Sequence, residues 1–418
     1  MARRRAPCIA AAFRAEGDCA VTLAEHLNAC CRVHRVYNVL VTQARPQSAG
    51  TYARFLLIAF IVCIPLTGIP EYAAAQSPEP LQGSSTRVPS QDDEAAVPRP
   101  VFELHSGFWL NLHHFLYEQA RLRDQESTSR GKVSGPAQDS GAAESRGADS
   151  RPWQAAVNYY AKNLARRDLL IDQGMVLINN RLADLETCVD LSGRASPTCA
   201  SGLPPALIAA LEEAAPVYRQ RWWPDHDRKN RAWISSVAPL IRRTGLPLAQ
   251  ELSAVYHSQW QTDPIRVDVS EYAGPFGAYT SLDPTHITVS STDPRNQGLS
   301  GFEILFHESS HALATTVQDA IDNACHDRGV AIPRDLWHAL LFYTTGEVVR
   351  RAVAEGKLNY PESAPPKFPA SYTPYAYRNG LYTRGWENYQ RVLETYWQPY
   401  LDGKTDFNHS INAVVAAL

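Results

Sequence analysis

The sequence predicts an α+β fold, mostly α-helical, with a small β-sheet placed directly before one strongly apolar helix. Apolar residues recur at helical spacing through much of 102–257 and again from residue 300 onward. Between these stretches, residues 265–270 (IRVDVS), 277–281 and 286–291 (HITVSS) are short, rich in β-formers and split by Gly and Pro. With 418 residues, 44% hydrophobic and 20% charged, the chain can bury a sizeable core. The net charge of -3 and the lack of a dense basic run beyond Arg3–Arg5 argue against nucleic-acid or anionic-membrane partners.

The first hundred residues do not read as folded domain. Arg54 precedes a short apolar run, FLLIAFIVCIPL, and Ala73, Ala74 and Ala75 supply the small residues that signal peptidase requires. Residues 54–75 are therefore expected to be a signal peptide. The run is shorter than the roughly 20 residues of a spanning helix, so no stable membrane anchor is expected after cleavage. Residues 1–53 are an awkward leader for such a signal, and a translation start between Val36 and Val41 would account for them. Export would place the protein outside the cytoplasm, secreted or periplasmic. In that compartment Cys188 and Cys199, which bracket a turn-rich loop, are expected to form a disulfide, leaving Cys325 unpaired and buried.

Residues 76–100 are rich in Pro, Ser and acid and read as a flexible linker to a domain spanning 101–418. Helical patterning covers 102–123, 153–185, 204–214, 229–243 and 248–257, and residues 124–151 read as a disordered insertion. His105, His113 and His114 fall on the first of these helices as surface or core residues. Asp225, His226 and Asp227 form a mild metal-like cluster, read as a solvated turn. Residues 293–298 form a turn before the key helix.

That helix begins SGFEILFHESSHAL. Ser300 and Glu303 have capping-box spacing, and Ile304, Leu305 and Phe306 make the helix a buried one. His307 and His311 lie one turn apart, about 40° around the axis, so both rings reach one metal ion. Glu308, about 100° from His307, is placed beside that ion as the general base. Neutral imidazoles hold zinc without cancelling its charge, which keeps it a strong Lewis acid.

His307-Glu308-Ser309-Ser310-His311, its helix and the strands before it resemble the zincin metallopeptidases; the rest of the chain carries no resemblance. The metzincin subclass would require Gly and His where this chain has Ala314 and Val317. The gluzincin pattern implies a glutamate from a later helix. Residues 333–355 are that helix, and Glu347 is the implied third ligand. His338 is the rival, on the opposite face of the same helix. The resemblance also implies a substrate-binding edge strand, assigned to 286–290, and an oxyanion donor from Tyr375, Tyr377 or Tyr382, with Tyr377 taken first. The expected activity is an exported Zn2+-dependent metallopeptidase acting on a peptide or protein substrate. The alternatives are a zinc hydrolase of non-peptide amides or esters, and a non-catalytic metal-binding protein.

Overall fold

A computed structural model of the chain describes residues 100–130, 150–355 and 371–418. The expected leader, signal peptide and nearly all of the linker lie outside the described residues, as does 131–149 of the expected insertion. The architecture is mostly helical with one four-stranded sheet, so the α+β expectation holds at that level. Among the described residues no helix is long and apolar enough to cross a membrane.

The first element corrects the sequence reading. Residues 102–105 are not helical but form strand β1 (Phe102–His105), which pairs in parallel with β2 (Ile265–Ser270). Helix α1 (Phe108–Arg130) follows and runs into the start of the expected insertion. The predicted helix over 153–185 is two, α2 (Arg151–Asn163) and α3 (Gln173–Asp184). Asp172 separates them: its carboxylate accepts from the Gly174 and Met175 amides and caps α3. Cys188 and Cys199 are disulfide-bonded and Cys325 is free and buried, as expected.

Helix α4 (Pro205–Arg221) leads into α5 (Trp223–Val255). One long helix thus replaces the two predicted ones and carries Pro239 and Pro247 inside it. The segment read as a solvated turn is its first part. Asp225 pairs with Arg228 and Lys229, Asp227 with Arg231, and the His226 ring meets the Tyr218 hydroxyl at 2.9 Å. No metal cluster forms there, because each group is already partnered along or across the helix.

The sheet order is β1-β2-β4-β3, with β3 (Ala278–Leu282) antiparallel to β4 (Thr285–Ser290) and the other pairs parallel. Strand β4, expected at the edge, is internal; β1 and β3 are the edge strands of this sheet. The two faces differ sharply. Ile265, Val267, Val269, Ile287 and Val289 belong to the main apolar core. The opposite face carries Asp268, Ser270, His286 and Thr288, all buried, beneath His114 of α1 and Asn180 of α3. A sheet covered on both faces buries most residues of its central strands, so polar side chains there need partners. Asp268 has them: the His286 Nε2 at 2.8 Å and the Arg266 Nε at 2.6 Å.

Helix α6 (Leu299–Ser310) leaves the sheet through the Asp293-led turn, and all of its residues are buried. Its N-cap is Gly298 at φ 59°, so the expected Ser300–Glu303 capping box does not form. Gly301 brings α6 close to the preceding turn: a Cβ there would sit 2.4 Å from the Asn296 carbonyl oxygen. A 3-10 turn over His311–Leu313 ends α6, and α7 (Thr315–Arg328) and α8 (Leu336–Ala354) follow. The chain closes with α9 (Tyr375–Arg378), α10 (Glu387–Val392), α11 (Gln398–Leu401) and α12 (Phe407–Ala416).

Two consequences are measurable. Gly301→Ala must push α6 off the Asn296 backbone, lowering stability by about 1–3 kcal/mol; urea unfolding giving no loss would contradict the close approach. Burial alone would raise the Asp268 carboxyl, but hydrogen bonds from His286 and Arg266 outweigh it and bring the group to about 2. A depressed carboxyl stabilises the fold fully above its unfolded pKa and loses that contribution as pH falls from about 4 towards 2. The stability gap between wild type and Asp268→Asn should therefore shrink across that window, and a gap independent of pH would rule this out.

Candidate metal centre

The candidate site is built where α6 packs on α8. Glu303, His307 and His311 follow one another at i, i+4 spacing on α6 and its terminal turn. On α8 the same spacing presents His338, Phe342 and Gly346. The contacts step in opposite directions along the two helices. Gly346 lies against Glu303, where an added Cβ would sit 3.2 Å from Oε1. Phe342 stacks on the His307 ring, with centroids 3.4 Å apart and planes at 16°. His338 lies against His311, centroids 5.1 Å apart, and its Nε2 is 3.2 Å from the Nε2 of His307.

His307, His311 and His338 thereby offer three ring nitrogens that all lie within 4.8 Å of one another. Of the two candidates for third ligand, the helix pairing brings His338 to the imidazoles. Glu347 is not brought there. It is one residue beyond Gly346, so it turns about 100° away from the α6-facing stripe. Its carboxylate is held instead by Arg350, with Nε–Oε1 at 2.8 Å and Nη2–Oε2 at 2.6 Å.

Burial decides the protonation of the group. It drives His307 well below the usual histidine range, reinforced by its two neighbouring imidazoles. It lowers His311 to about 4, and His338, with His311 adding to the effect, to about 3. All three rings are therefore neutral at pH 7, the form in which an imidazole nitrogen carries a free lone pair. A tetrahedral zinc with bonds of about 2.0–2.1 Å spaces its nitrogens about 3.3 Å apart, close to the His307–His338 separation. The three nitrogens form a group that could hold a metal ion.

Glu308 sits beside this group with its Oε2 4.0 Å from the His311 Nε2. Burial pushes its carboxyl up to about 7, against a hydrogen bond from the Thr280 hydroxyl at 2.8 Å that lowers it. The same hydroxyl also reaches the Glu308 carbonyl at 3.0 Å. Thr280 belongs to edge strand β3, so the strand and the carboxylate are tied together.

An aromatic wall surrounds the imidazoles. Trp337 packs against both His311 and His338, and Trp386 lies 5.7 Å from His338. Tyr375 stacks on Phe342 at 5.7 Å and 16°, and its hydroxyl feels the charges of Arg295 and Glu308. Tyr377, the first choice for an oxyanion donor, instead donates to Glu394 at 2.7 Å. Tyr382 is buried and its hydroxyl has no hydrogen-bond partner among the described residues.

Thr280 and Phe342 as site neighbours, and Glu303 as a buried carboxyl, were not drawn from the sequence as such, whereas Tyr375 was one of three tyrosines considered there. A signal for the α8 contributors existed: His338, Phe342 and Gly346 repeat the four-residue step of Glu303, His307 and His311. No protein-family profile matches the chain, and no curated protein or solved structure shows significant similarity to it.

The geometry separates the two ligand candidates by experiment. His338→Ala should weaken zinc binding by more than about 100-fold, since even groups one bond removed from a metal ligand contribute 10–100-fold. Glu347→Gln should leave affinity within about threefold. Metal titration giving the reverse order would restore Glu347 as the ligand.

Proposed function

We propose that the protein is an exported zinc-dependent hydrolase, of zincin type, that cleaves peptide bonds. The observation that carries this reading is one cluster: three neutral imidazoles, with the buried carboxyl of Glu308 4.0 Å from one of them. His307, His311 and His338 would hold the zinc, which supplies Lewis acidity to a water molecule and to the scissile carbonyl.

The remaining chemistry belongs to side chains of this chain. Glu308, raised to about 7 by burial, is matched to accept a proton near neutral pH and to return it to the leaving nitrogen. Thr280 orients that carboxylate by donating to Oε2, leaving Oε1 for the proton transfer. A structural metal site has no use for such a base, so its retention favours a hydrolytic centre over a purely structural one. Strand β3 supports a peptide as substrate. It pairs only with β4 among the described strands, and an edge strand is the element that pairs with an extended chain. Export rests on residues 54–75 and is consistent with the Cys188–Cys199 bridge.

Glu308→Gln tests the assignment directly. It should retain zinc at wild-type stoichiometry while kcat/KM on a peptide mixture falls by about 10²–10⁴. Undiminished hydrolysis by the zinc-loaded variant would remove Glu308 as the base. Failure of the wild-type chain to take up zinc would remove the reading altogether.

A further inference from the structure

We propose that Glu303 is a positioning residue: its buried carboxyl latches residues 371–378 onto α6 and so holds the Tyr375 ring against Phe342, the ring that stacks on His307. The inference rests on the hydrolytic reading of that site for its catalytic consequence, but not for the latch itself.

Glu303 is fully buried, one helical turn before His307, and no cation pairs with it among the described residues. Its partners all come from one later segment. The Tyr372 hydroxyl donates to Oε2 at 2.6 Å, and the Tyr375 amide donates to Oε1 at 3.0 Å and to Oε2 at 2.9 Å. Gly346 makes the room. A Cβ there would stand 2.6 Å from the Pro374 Cβ and 3.2 Å from the Glu303 Oε1, so any side chain would expel either the proline or the carboxyl.

A buried carboxyl without a cation is a costly way to fill space. An apolar residue would pack the same volume without that cost, but it would leave the Tyr372 hydroxyl and the Tyr375 amide with no acceptor here. What the carboxyl supplies is directional: it fixes the backbone at Tyr375 by the amide itself. From that amide the contacts run to the site through stacked rings, Tyr375 on Phe342 and Phe342 on His307. The segment after α9 also delivers Trp386 to His338. Glu303 therefore acts on the imidazoles only through Tyr375 and Phe342.

Hydrogen exchange of the full chain, followed by mass spectrometry, reads the latch without reference to activity. Glu303→Ala should speed exchange of the 371–378 amides at least about tenfold while α6 peptides keep their protection. Tyr372→Phe, which removes one of the three hydrogen bonds and keeps the ring, should move the same amides in the same direction by less. Should Glu303→Ala fail to fold, Tyr372→Phe and Glu303→Gln carry the test. Exchange of 371–378 within twofold of wild type in these variants overturns the proposal. So does loss of protection in α6 in step with that segment, which would make Glu303 a packing residue only. In the zinc-loaded protein, Glu303→Ala should lower kcat about tenfold with KM and metal affinity within twofold, and Glu303→Gln should recover part of the loss. If the wild-type chain neither binds zinc nor hydrolyses peptides, the functional reading fails and the exchange result still decides the latch.

Discussion

The packing of α6 against α8 is the constraint on which the candidate site depends. Two helices touching along i, i+4 stripes present side chains in register only if small and large residues alternate to match. Here Gly346 accommodates Glu303, Phe342 covers His307, and His338 meets His311. Each contact fixes the next. A larger residue at 346 would displace Pro374 or the Glu303 carboxyl from that end of the contact.

The same contact sets the electrostatics. The three histidines pack among Phe342, Trp337 and Trp386, His307 buried and the other two half-buried, and this desolvation disfavours the charged form of each ring. Neutral rings crowded at 3.2 Å do not repel as cations would, and they hold lone pairs ready for a cation. Glu308 experiences the same burial with the opposite sign of consequence. Its carboxyl is raised, while the Thr280 hydroxyl limits the rise. One partly desolvated environment thus shifts the imidazoles and the carboxyl together.

Much of the fold was legible from periodicity alone. The three core strands fall at or within two residues of where β-rich, Gly- and Pro-bounded runs were read, and the buried helix carrying His307, Glu308 and His311 lies where its apolar run placed it. The failures have physical causes. Strand β1 was hidden because four residues are too few to reveal a period of two, and their strand state comes from pairing with β2, far along the chain. The continuity of α5 was hidden by Pro239 and Pro247, which read as breaks but are tolerated in a long helix packed on its neighbours. The choice between His338 and Glu347 turned on which face of α8 meets α6. Periodicity separates the two faces, but only tertiary packing selects one. Glu303 was misread because a Ser–x–x–Glu spacing at a helix start usually signals local capping, whereas this carboxyl answers to donors from residues 372 and 375.

The short turn at His311–Leu313 has an effect on how the centre meets its surroundings. Every residue of α6 before it is enclosed, and the His307 ring is sealed beneath Phe342. The His311 side chain, by contrast, is 22% exposed. The group therefore meets solvent on its His311 side, at the end of the helix, and not at His307 within it.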